Sequence, residues 1–126
     1  MQAQALLDSV VTAYIQCALW SSNDDDGEPL DGLYEAWDFG DEAMTSMQED
    51  CADFVEWANE LPWQECWTAE QLGHDFWLTR NGHGAGFWDR YAVGIAAYVG
   101  DQLSTRAKTY GSSDVYVGDD GKLHVS

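Results

Sequence analysis

The chain has 126 residues, the length of one domain, and is 45% hydrophobic with 7 Trp, 6 Tyr and 4 Phe, which is apolar area enough for a core and excludes wholesale disorder. Its 23 Asp and Glu outnumber 5 Lys and Arg, a net charge of -18. That balance excludes direct nucleic-acid binding through a basic footprint and attraction to an anionic membrane surface. No run approaches the roughly 18 apolar residues of a membrane span, and MQAQALLDSVVTAYIQ lacks the basic start of a signal peptide, so a cytoplasmic location is expected.

Gln2 to Trp20 carries Ala3, Leu6, Leu7, Val10, Tyr14 and Ala18 at helical spacing and predicts an amphipathic helix. The segment SSNDDDGEPLDG, Ser21 to Gly32, then combines turn formers with Asp24, Asp25, Asp26, Glu28 and Asp31. An exposed acidic loop, held extended by mutual repulsion, is expected there. A second helix is predicted from about Gly40 to Leu61, before Pro62, with Met44, Met47, Cys51, Phe54, Val55 and Ala58 on one face. Glu42, Glu49, Asp53, Glu56 and Glu60 fall on the opposite face.

After Trp63 and Trp67, TAEQLG predicts a short helical turn with Thr68 as its N-cap and Gly73 as its stop. The apolar residues Phe76, Trp77, Leu78, Phe87 and Trp88 around RNGHGAG predict a hairpin. Tyr91 to Lys108 again has helical spacing, with Arg106 and Lys108 complementing the macrodipole at its end. DVYVGDDGKLHV predicts a closing hairpin turning at Asp119, Asp120 and Gly121. The expected architecture is α+β, a single domain over residues 1–126, with about three helices packed on an antiparallel sheet of two hairpins.

Charge divides this domain. Residues 1–79 hold 18 acidic residues and no Lys or Arg, whereas residues 80–126 hold 5 of each sign. An acidic helical portion and a charge-balanced hairpin-helix-hairpin portion are therefore expected. A halophilic coat would spread acid over the whole surface, so the segregation at residue 80 counts against it, while a solvated solubility coat is the alternative to mimicry. Glu49, Asp53, Glu56 and Glu60, spaced 4, 3 and 4 apart, would instead stand roughly 4.5 to 6 Å apart on one helix face, a spacing suited to imitating phosphates. The stripe contains no intervening Lys or Arg.

Other chemistries are less specific. DDDGEPLDG resembles a calcium loop but lacks the alternating ligands and closing Glu. The odd cysteines Cys17, Cys51 and Cys66, without CxxC spacing, read as buried thiols, not as a disulfide or zinc framework. His74, Arg80, His83 and Arg90 form the one cluster suggestive of a small enzyme or a nucleotide-signal binder, yet no nucleophile, base and orienting group can be named. Arg80 and Arg90 are expected to pair with local carboxylates. No catalytic residue, metal ligand or cofactor is expected.

The run GHDFWLTRNGHGAGFWDR, Gly73 to Arg90, with YGSSDVYVGDDGKL, Tyr110 to Leu123, resembles a family of small acidic proteins encoded by bacteriophages and other mobile elements. The family is mostly functionally unassigned, so the resemblance implies a genomic setting and no catalytic residues. In that setting small acidic proteins act as anti-restriction or anti-CRISPR inhibitors by DNA mimicry. The combined expectation is a non-enzymatic inhibitor of a host defence complex in the bacterial cytoplasm. Asp24, Asp25, Asp26, Glu28, Asp31, Glu42, Glu49, Asp53, Glu56 and Glu60 would contact the basic DNA- or RNA-binding groove of the target. A phage assembly or interaction protein, acidic only for solubility, is the remaining alternative.

Overall fold

Gly73 determines how the two most intimately packed helices meet. In the computed structural model, which describes residues 3–24, 26–82, 87 and 94–126, helix α1 (Ala3–Trp20) lies across helix α3 (Ala69–Arg80). A Cβ on Gly73 would stand 2.1 Å from the Val10 carbonyl oxygen, so only a glycine allows this approach. The expected stop at Gly73 is thus overturned, since the helix continues seven residues beyond it to Arg80. Thr68 does cap it: Gln71 N–H donates to Thr68 Oγ1 (3.1 Å) and Thr68 N–H donates to Gln71 Oε1 (3.0 Å).

The expected strand at Phe76, Trp77 and Leu78 is the second half of α3. From Leu72 to Arg80 only His74 is not buried, so this helix has no polar face to mark its period. The second half of the expected hairpin, apart from Phe87, lies outside the described residues, as does the beginning of the helix expected from Tyr91.

Helix α2 (Asp41–Ala58) follows the amphipathic pattern, burying Met47, Cys51, Phe54, Val55 and Ala58. It ends three residues before the expected Leu61. Asn59 is its C-cap and accepts a hydrogen bond from Trp63 Nε1 (3.0 Å), while the chain tightens through Glu60 N–H to Trp57 O (3.2 Å). Phe54 stacks on Phe76 with ring centroids 4.1 Å apart and planes 8° from parallel, and Tyr14, Phe87 and Tyr110 extend the aromatic core around them.

Helix α4 (Gly94–Lys108) packs on α3 and α2 through Val99, Leu103 and Ala107. Strands β1 (Val115–Val117) and β2 (Leu123–Val125) form the expected closing hairpin, with Tyr116 opposite His124 and Asp119–Gly121 at the centre of its loop. Gly40 N–H donates to Leu123 O (2.9 Å), attaching the hairpin to the start of α2. The fold class is α+β as expected, but among the described residues there are four helices and one two-stranded sheet in place of about three helices and two hairpins.

Candidate functional site

Glu42, Glu49 and Glu56 project from one side of α2, at positions seven residues apart and therefore about 10.5 Å apart along the axis. All are exposed, and no cation among the described residues pairs with them. Glu60 does not continue the row in helical register, because α2 has ended before it, although it too is exposed.

Asp53 departs from the row in another way. Arg106 of α4 reaches it, Nη2 donating to Asp53 Oδ2 at 3.1 Å, and the Tyr110 hydroxyl donates to the same oxygen. The Arg106 guanidinium lies 5.5 Å from the Trp57 ring centre and 5.6 Å from that of Tyr110. The hydrogen bond from Tyr110, aided by Arg106, holds the Asp53 carboxyl below the usual range. Burial and the bond to Asp53 push the Tyr110 phenol up to about 12. The expectation of an uninterrupted stripe is corrected: Arg106, distant in sequence, neutralises its middle and leaves the spacing of the unpaired carboxylates wider than the 4.5 to 6 Å step.

The loop after α1 is folded, not extended. Asn23 bridges Pro29, Asp24 N–H donates to Glu28 O (2.9 Å), and Asp24 Oδ1 accepts from the N–H groups of Asp26 and Glu28, both at 2.9 Å. Turn-forming bonds outweigh carboxylate repulsion here. Leu30, fully buried, anchors the loop beneath this turn. Asp26, Glu28 and Asp31 remain exposed, Asp24 is half-buried and engaged in the turn, and Asp25 lies outside the described residues.

The alternative cluster is not assembled as a binding site in what is described. Arg80 is 8% exposed and donates from Nη1 to Asp50 Oδ2 and Tyr14 Oη (both 2.8 Å), from Nη2 to Tyr110 O (3.0 Å) and from Nε to Gly111 O (2.9 Å). Its carboxylate partner is on another helix, not local as expected. A guanidinium so engaged ties α1, α2, α3 and the segment after α4 together. His74, six positions earlier on α3, is half-buried beside Trp20, with ring centroids 5.9 Å apart. His83 and Arg90 lie outside the described residues.

The cysteines are free; Cys17 and Cys51 are buried as expected, while Cys66 is half-buried. Burial pushes the Cys17 thiol up to about 12 and raises that of Cys51 as well, disfavouring the thiolate form of both. Among the described residues no group of three His, Cys, Asp or Glu could hold a metal ion, and no helix is long and apolar enough to cross a membrane.

Exposure of Trp20, Trp37 or Trp57 would mark an apolar hot spot within the acidic face, and of the three Trp37 is the most exposed. It is 80% exposed, on a 3-10 turn (Ala36–Asp38) between the acidic loop and α2, with exposed Leu33 and Glu35 upstream and Asp41 and Glu42 downstream. Buried Phe39 follows it, and Glu35 N–H donates to Asp38 Oδ2 (2.7 Å), so the turn carrying the indole is held at both its ends. Solvent exposure of a tryptophan has no sequence signature. Comparison with family models, with curated proteins and with solved structures finds no match to this chain.

Proposed function

We propose that this protein is an inhibitor that occupies the basic nucleic-acid-binding groove of a host defence complex, presenting carboxylates where the target expects phosphates. The observation that carries the reading is the row Glu42, Glu49 and Glu56: exposed, regularly spaced on one helix and unpaired among the described residues, while Arg80 and Arg106 are engaged by Asp50 and Asp53. Such a field attracts a cationic groove over the Debye length and loses strength with salt. Asp26, Glu28 and Asp31 on the folded loop are exposed as well and add to the negative field.

Trp37 supplies what charge alone does not. Interfaces concentrate their energy in a few aromatic and Arg anchors surrounded by polar contacts, and an indole exposed on a hydrogen-bonded turn five residues before Glu42 has that character. The inhibition would be competition, without turnover or a cofactor. The resemblance to small acidic proteins of phages and mobile elements supports the setting, that of anti-restriction or anti-CRISPR activity in a bacterial cell.

Pull-down from a bacterial lysate at low and moderate salt, comparing wild type with a variant carrying Glu42→Gln, Glu49→Gln and Glu56→Gln, tests this. A DNA-binding complex retained by wild type, released by duplex DNA and lost from the variant is the expected result. Equal retention of one partner by both proteins, or no displacement by DNA, refutes mimicry.

A further inference from the structure

Glu49, the middle member of the acidic row, borders a groove. Because α1 packs more closely on α3 than on α2, the exposed side of the α1–α2 pair opens into a groove of about 540 Å³. Leu7, Val11 and Ile15 form one wall at steps of four residues, and Met44 and Ala52, eight apart, form the other. Ile15 is buried and the other four are half-buried, so the floor is apolar and accessible to solvent. Asp8 stands on the α1 rim and Glu49 on the α2 rim.

We infer that this groove receives a basic amphipathic helix presented by the partner protein. The inference rests on the acidic-face reading and adds to it the form of the partner. Three features select this occupant. Two walls with four-residue repeats match the i, i+4 and i+7 anchors of a helix laid between them, over about 12 Å or two turns. The floor needs an apolar stripe on that helix. Both walls come from residues 1–79, which contain no Lys or Arg, so the stripe must be flanked by cations to complement Asp8 and Glu49. Arg106 approaches α2 at Asp53 and Trp57, neither of which lines the groove, and so leaves its rim negative.

The test uses two synthetic peptides of identical Leu and Lys composition, one ordered so that Leu falls on a single helical stripe and one scrambled. Calorimetric titration into the full chain should show the ordered peptide binding at least tenfold more tightly. Thr45→Trp and Gln48→Trp, at exposed positions on the groove wall, should each reduce that affinity tenfold or more and leave the scrambled peptide unchanged. Equal affinity for the two peptides overturns the groove, as does ordered-peptide binding that is indifferent to both Trp variants. The acidic-face reading fails separately, if Glu42→Gln with Glu56→Gln changes neither peptide's affinity while the ordered peptide is still preferred.

Discussion

Gly73 and the Val10 carbonyl oxygen are so close that a methyl group on Gly73 would lie 2.1 Å from that oxygen. In an ordinary helix interior, Gly→Ala adds about 1 kcal/mol of stability. Here the sign reverses, because the clash is with backbone that cannot rotate away. Gly73→Ala should cost about 2 kcal/mol or more, read as a lowered urea midpoint.

Arg80 and Asp50 make the second prediction. A lysine at position 80 carries the charge but cannot serve Tyr14, Asp50, Tyr110 and Gly111 at once, and Arg80→Lys should destabilise by about 2 kcal/mol. Asp50→Ala removes the carboxylate and leaves a buried cation, at a cost of about 3 kcal/mol. The double variant should lose less than the sum of the two, which a denaturation cycle measures.

Asp53 and Tyr110 couple stability to pH at both extremes. The Asp53 value is lowered on folding, so its contribution is full above the ordinary carboxylate range and fades as pH falls through the depressed value. Tyr110 is raised from 10.0 to about 12, so its contribution is full below pH 10 and is lost between there and 12. Wild type should exceed Tyr110→Phe in stability at neutral pH, with the difference narrowing toward acid and toward strong alkali in melts across pH.

Neutralising the row should not harm the fold. Glu42, Glu49 and Glu56 are exposed and have no cationic partner among the described residues, and replacing all three by Gln relieves repulsion. A melting temperature equal to or slightly above wild type at low salt, converging at high salt, is expected. A clear loss of stability would show that these side chains serve the fold.

Trp37→Ala separates binding from folding. At 80% exposure the indole contributes little to the core, so the urea midpoint should stay within about 0.5 kcal/mol of wild type. Affinity for the partner retained in the pull-down should fall tenfold or more.

Legibility followed the presence of a polar face. Helices α1 and α2 each present one to water, and their period of 3.6 shows in the sequence, as does the alternating hairpin of Val115 to Val125. In α3 the run from Asp75 to Arg80 is buried throughout, and the apolar triplet Phe76, Trp77 and Leu78 within it looks the same in a strand. Asp24 is legible as a turn former, but that its bonds to Asp26 and Glu28 outweigh carboxylate repulsion is visible only in the folded loop. Of the candidate site, the row on α2 was readable from spacing. The capture of Asp53 by Arg106 was not, because the two are far apart in sequence and meet only once α4 docks.

The crossing at Gly73 also bears on how the chain is made. Helix α1 leaves the ribosome before α3, and the helix that covers it follows roughly fifty residues later, a wait of several seconds at ordinary rates of elongation. The intervening chain contains no Lys or Arg, and its carboxylates repel one another and their counterparts on neighbouring nascent chains. Until α3 arrives, the apolar face of α1 is therefore followed by a segment whose like charges oppose association with neighbouring nascent chains.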